Sequence, residues 1–258
     1  WGDVSPGFVF TDSLLYNPKF IAECCSHESG HTLGLAHQSA YDNNCNLTQT
    51  YSLGAGTGET SWAPVMGNSY YSNMTGWNDG PTPYGCTSTQ DNLTTIVSLN
   101  GFVYRNDDYN EVLDENTFNA GTNNFTTEGV ISHNVDKDAF RFTMAVKAFF
   151  HFEAKPFGLN ENNTGANLDV MVKLYDASKT LIQTYNPMDK MNVLFDTTLN
   201  AGQYYILISG TGNSNVSDYG SLGSYTLTAV RGALPIRSIA LNGKSENNKH
   251  ILNWNIIA

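Results

Sequence analysis

Residues 17–38 read NPKFIAECCSHESGHTLGLAHQ, and the rest of the chain is interpreted from this stretch. Asn17 can cap a helix, Pro18 suits the first helical position, where no amide donor is needed, and no further proline interrupts the run before Gly34. At about 1.5 Å and about 100° per residue, His27 and His31 fall one turn apart on one face, so both imidazoles can reach a single tetrahedral metal ion. Glu28 is offset around the helix, placed to hold a water rather than to ligate, as a general base requires. Gly34 can take a left-handed conformation that turns the chain and brings His37 back as a third ligand. Three imidazoles leave the fourth zinc position open, which separates catalytic from structural sites. A bare HExxH arises by chance in many helices; Gly34 and His37 at these offsets make the zinc reading specific. Cys24 lies on the same face one turn earlier, where it is expected to support the site rather than ligate.

The full string HExxHxxGxxH, His27 to His37, resembles the metzincin zinc metallopeptidases of pappalysin-like or related bacterial kind. That resemblance implies a Zn2+ cofactor, a protein or peptide substrate, and hydrolysis by zinc-bound water with Glu28 as general base. It also implies a methionine turn beneath the metal, and Ala63-Pro64-Val65-Met66-Gly67 resembles that turn, with Met66 as the thioether. Core filling is the plain alternative for a methionine beside glycine. In some metzincins a tyrosine two residues after the methionine reaches the zinc; here Asn68 stands there. Tyr70 and Tyr71 are therefore the candidate transition-state donors, with packed aromatics as the alternative. Gln38 departs from the acidic or serine choices of several subfamilies. Metzincins also place a twisted sheet and a helix before the zinc helix, so with about two dozen residues ahead of His27 the chain is expected to begin inside a catalytic domain.

A chain of 258 residues can bury a full core and usually forms one or two domains. The formal net charge is -11, and Lys19 is the only Lys or Arg before Arg105, so nucleic acid and anionic membrane are poor partners. No run is long and apolar enough to span a bilayer, and an export signal, if the protein is secreted, is expected to have been removed ahead of Trp1.

Residues 39–104 are rich in turns, as in GAGTGETSW and NDGPTPYGC. Cys45 and Cys86 lie on either side of the methionine segment, and of the three connectivities open to four cysteines, a Cys45–Cys86 disulfide is favoured. An oxidising location would make it persist. Leu93, Ile96 and Val97 have helical spacing before Asn100-Gly101 and predict a closing helix. Gly7 to Phe10 reads as a strand or a loop.

From 105 to 127 the composition turns to Asn, Asp, Glu, Thr and Gly, which predicts a linker. Its carboxylates Asp107, Asp108, Glu111 and Asp114 could gather around Ca2+; a solvated acidic linker is the competing reading. Beyond it the period becomes two in Phe140–Thr143, Val170–Tyr175, Tyr204–Ile208 and Tyr225–Thr228, which predicts a β-sandwich. DKDAFRF, NLDVMVKLYDAS, LNAGQYYILISG and YGSLGSYTLTAV, spanning Gly129 to Val230, resemble the bacterial pre-peptidase C-terminal domain. That resemblance implies a module appended to secreted bacterial peptidases and similar to collagen-binding sandwiches, with matrix protein or glycan as its partner. Asp136, Asp138, Asp169 and Asp176 could bind Ca2+, and capping of turns is the favoured alternative. The tail LPIRSIALNGKSENNKHILNWNIIA resembles the start of an immunoglobulin-like module of type IX secreted Bacteroidetes proteins, so the chain is expected to be truncated at both ends.

The expected class is α+β. The lower part of a metzincin catalytic domain (1–104: zinc helix, methionine-turn loop, closing helix) is followed by an acidic linker (105–127), an all-β sandwich (128–231) and the start of a further β module (232–258). The expected function is a secreted or cell-surface zinc endopeptidase. The alternative is a surface adhesin or filament component with a remnant, inactive peptidase region, binding through the sandwich.

Overall fold

The computed structural model of the chain describes residues 6–160, 163–232, 238–246 and 249–257. Residues 1–5, 161–162, 233–237, 247–248 and 258 lie outside it, and with them parts of the first and last segments anticipated above. Helix α1 (Pro18–Thr32) begins where the Asn17 side chain accepts from the backbone N–H groups of Lys19 and Phe20. It ends at Gly34, whose φ of 97° suits a residue without Cβ, and the N–H of Leu35 donates back to Gly30 O. Ahead of α1, Gly7 to Phe10 is irregular, with Phe8 and Phe10 exposed.

Short paired strands follow: β1 (Ala40–Tyr41) with β2 (Leu47–Gln49), β3 (Trp62–Pro64) in parallel with β4 (Met74–Gly76), and β5 (Pro81–Thr82) with β6 (Gly85–Thr89). A disulfide joins Cys45 to Cys86 across 41 positions. Closing a loop of that length restricts the unfolded chain by roughly 4 kcal/mol in the chain-entropy account. Helix α2 (Asn92–Asn100) is capped by Asp91, which accepts from Thr94 N, and stops at left-handed Gly101. Its Asn100 Nδ2 donates to Leu33 O at 2.8 Å, satisfying a carbonyl at the end of α1.

The second half is a β-sandwich. Strands β7 (Phe118–Asn119), β9 (Lys137–Met144), β11 (Val170–Asp176), β12 (Leu181–Tyr185) and β14 (Gly202–Gly210) form one sheet in the order β12-β11-β14-β9-β7. Strands β8 (Phe125–Ile131), β10 (Ala148–Pro156), β13 (Val193–Leu199) and β15 (Gly223–Gly232) form the other, in the order β13-β10-β15-β8. Alternation turns Phe140, Phe142, Val172, Ile206 and Ile208 of the first sheet against Phe150, Phe152, Val193, Leu227 and Ala229 of the second, all buried in one core. Strands β16 (Ser238–Glu246) and β17 (Lys249–Ile257) pair antiparallel with each other.

The stretch 105–127, expected to be a linker, is laid onto the sandwich instead. The Tyr109 ring packs 4.6 Å from Phe140 and 5.2 Å from Phe118, Tyr109 Oη donates to Glu128 O, β7 pairs in parallel with β9, and β8 already begins at Phe125. Tyr109 is the main anchor in this polar run: its ring packs against the sandwich core, while Phe118 stays 44% exposed at its edge.

The two halves meet over a polar seam around Glu59. Its carboxylate accepts from Met191 N at 2.9 Å, Asn163 Nδ2 at 2.7 Å and Lys190 Nζ at 2.9 Å. Thr75 N donates to Asn167 Oδ1, Gly165 N to Asn73 Oδ1, Asn215 Nδ2 to Thr60 O, and Leu93 N to Tyr219 Oη. Met74 packs with Ala166 and Met191 between them. Burial pushes the Glu59 pKa up, but the three donors outweigh it and the net shift is downward. The stabilisation this gives is present above the ordinary carboxylate pKa and is lost as pH falls through the lowered one. Glu59→Ala leaves the Met191 amide and the Asn163 side chain without their acceptor and should cost about 2–4 kcal/mol. Urea unfolding would measure it, and a loss below about 0.5 kcal/mol would show that the seam does not hold the halves together.

Candidate metal centre

His27, His31 and His37 converge, with one ligand atom from each lying within 4.8 Å of the others. Their ring centroids are 4.6–5.2 Å apart. The first two rings come from one face of α1, and the third is returned by the turn at Gly34. His27 Nδ1 donates to Val65 O at 2.7 Å, and His31 Nδ1 to Leu35 O at 2.8 Å. A carbonyl can only accept, so each contact fixes the tautomer and leaves Nε2 with its lone pair facing inward. His31 Nε2 and His37 Nε2 stand 3.0 Å apart. Two such lone pairs repel unless a cation or proton lies between them, and zinc bonds of about 2.0–2.1 Å at tetrahedral angles put nitrogens about 3.3 Å apart. Burial lowers the His27 pKa, partly opposed by the Val65 carbonyl, and lowers that of His37, reinforced by the neighbouring His31 and His27. Both shifts favour the neutral, ligating form. These residues fit Zn2+.

Met66 is fully buried against α1. A Cβ on Gly30 would lie 2.3 Å from Met66 Sδ, so Gly30 is the gap in α1 through which the thioether approaches. Gln38 N donates to Met66 O at 2.7 Å, which ties the segment after His37 to the 63–67 turn, and Gly67 N donates to Pro64 O within it. Leu35, Val65 and Met66 form a small core, with Ile96 of α2 and Trp77 against it.

Glu28 lines an open cleft together with His27, His37, Tyr51, Val65 and Tyr70. Tyr70 therefore lines the cleft, and its pKa is pushed up to about 12 by burial and by the neighbouring Cys24 thiol. Tyr71 is 80% exposed and packs on Phe20, away from the cleft. Cys24 supports Tyr70 and Cys25 is exposed; both are free thiols. Tyr51 is the residue that sequence reasoning missed, since its relation to the histidines arises only from the folding of a long irregular loop.

No family model and no curated protein matches the chain. Among solved structures, it is similar to the pre-peptidase C-terminal domain of collagenase from Bacillus anthracis, at 15% identity over 43% of this chain and 92% of that one, with a TM-score of 0.33. It is also similar to PliG of Aeromonas hydrophila, a periplasmic inhibitor of g-type lysozyme, at 13% identity over 44% of this chain and 96% of that one, with a TM-score of 0.28. Both likenesses are remote. No helix among the described residues is long and apolar enough to cross a membrane.

A second group lies on the sandwich, where the carboxylates of Asp107, Asp108 and Asp138 also fall within 4.8 Å of one another. It combines two sets that the sequence treats separately. Of the others, Glu111 pairs with Lys137 at 3.7 Å, Asp114 accepts from Asn116 N, Asp136 from Ser132 N, and Asp176 from Ser178 N and Thr180 N. Asp169 accepts from Asn213 Nδ2, and burial pushes its pKa up to about 7. Asp138 is not a turn cap. It falls on the inner face of β9 with Phe140 and Phe142, fully buried, with the Tyr225 hydroxyl donating to Oδ2 and no partner at Oδ1. Burial raises its pKa to about 8, Tyr225 opposes this, and Asp108, Asp136 and Asp107 add to the rise. A raised carboxylate pKa means that the folded state holds a proton which the unfolded state releases, so stability falls as pH climbs from about 4 towards about 8. In a chelating buffer, Asp138→Asn should therefore lose less stability than the parent protein between pH 5 and 8, as followed by thermal unfolding. Parallel curves would contradict the assignment.

Proposed function

We propose that the chain carries the zinc centre of an endopeptidase acting outside the cytoplasm. The observation that supports this most is the convergence of three imidazoles, two of them fixed by backbone carbonyls, beside a cleft that Glu28 lines with His27 and His37. Bound Zn2+ supplies a Lewis acid that polarises the peptide carbonyl and acidifies water. Glu28 takes a proton from the attacking water as the C–O bond forms and passes it to the amide nitrogen as the C–N bond breaks, leaving a carboxylate and an amine. The open cleft suits an extended polypeptide. The disulfide supports an oxidising, extracytoplasmic location.

In the same reading the sandwich is an accessory module of pre-peptidase C-terminal kind, on the strength of its strand motifs, with matrix protein or glycan as its partner. Ca2+ is the second cation, held by Asp107, Asp108 and Asp138, since three oxygen donors with one buried and unpartnered suit a hard ion. Added Ca2+ would then raise the Tm of the parent protein and not that of Asp138→Asn.

Glu28→Ala should keep its zinc and lose peptide hydrolysis by about 10³-fold or more. Metal analysis beside a casein-cleavage assay checks this. An undiminished rate in the zinc-loaded variant excludes Glu28 as the base, and a parent protein that binds zinc without turnover favours the adhesin reading.

A further inference from the structure

Tyr51 is the tyrosine that rests against the imidazole cluster. Its ring lies 4.4 Å from that of His37 and 6.4 Å from that of His27, tilted by 50° and 34°. Its backbone neighbour is fastened on both flanks of the centre. Ser52 N donates to Gln38 O at 2.8 Å, one residue past His37, and Ser52 O accepts from Asn68 N at 2.8 Å, two residues past Met66. The approach is close enough that a Cβ on Gly67 would lie 2.4 Å from Ser52 O. Gln49 Oε1 accepts from Leu53 N and closes the same bend. The loop that presents Tyr51 is thus set by the two segments that carry His37 and Met66.

The hydroxyl is uncommitted. It has no hydrogen-bond partner among the described residues, while the side chain is 45% exposed and lines the cleft with Glu28. Tyr70, the other tyrosine in the cleft, packs its ring on Phe20, 5.1 Å away, and not on the histidines. When water adds to a peptide carbonyl, negative charge develops on the carbonyl oxygen. A donor already held in place contributes most at that moment, because it need not reorganise.

We propose that Tyr51 is a catalytic residue whose hydroxyl donates a hydrogen bond to the oxyanion formed at the scissile carbonyl, on the His37 side of the cleft. The substrate in this statement rests on the peptidase reading; the placement of the donor can be tested without turnover. Tyr51→Phe is the informative change, because the ring that packs on His37 is kept and only the hydroxyl is lost. In zinc-loaded protein it should lower kcat by about 10²-fold with KM within about twofold. It should also weaken binding of a phosphinic peptide, whose tetrahedral PO2 group mimics the addition product, by about 10–100-fold in calorimetric titration, with zinc affinity unchanged. Equal phosphinate affinity in the two proteins would overturn the assignment, as would failure of the zinc-loaded parent protein to bind the phosphinate. Tyr51-dependent binding without casein cleavage would keep the Tyr51 hydroxyl as the donor to a tetrahedral oxygen at this site and remove the peptidase reading. Cleavage that is indifferent to Tyr51→Phe would do the reverse.

Discussion

Two backbone carbonyls hold this structure to its chemistry. Val65 O and Leu35 O each accept from the Nδ1 of a histidine on α1, and each belongs to a segment that could not otherwise sense where those rings point. Val65 precedes Met66 in the methionine turn, and Leu35 follows Gly34 on the way to His37. One pair of hydrogen bonds therefore fixes the tautomers, the depth of the turn under the helix and the return of the third ring. Losing either acceptor would let an imidazole rotate, and a metal site tolerates errors of only a few tenths of an ångström.

The half that bears these groups is poorly supplied with core. Its central cluster is Leu35, Val65 and Met66, while α1 buries only Gly30, against a sandwich core drawn from seven strands. What apolar burial does not give here, covalent and polar ties provide. The Cys45–Cys86 bond closes the loops around the turn, Asn100 caps α1, and the seam at Glu59 docks the whole onto the sandwich. The sandwich thus braces the half that bears the three histidines.

The sequence revealed what depends on short-range periodicity. Residues i and i+4 of a helix must share a face, a glycine after the last turn is free to reverse the chain, and alternating apolar residues must form a two-sided sheet, so α1, the turn at Gly34 and strands such as β11 and β14 could be read directly. Contacts between distant segments could not. The anchoring of 105–127 rests on Tyr109 reaching Phe140, and Tyr51 meets His37 because an irregular loop is clamped at Ser52. Asp138 was read as a turn residue ahead of a strand that began at Phe140; both its place on the inner face of β9 and its approach to Asp107 and Asp108 required the fold.

The coordination sphere itself is the decisive quantity. X-ray absorption at the zinc edge of the metal-loaded protein should give three imidazole nitrogens and one lighter oxygen donor, all at about 2.0–2.1 Å, with no sulfur. A sulfur shell near about 2.3 Å would place Cys24 or Cys25 on the ion, and fewer than three imidazoles would break the triad; either result would contradict an open, three-histidine hydrolytic centre.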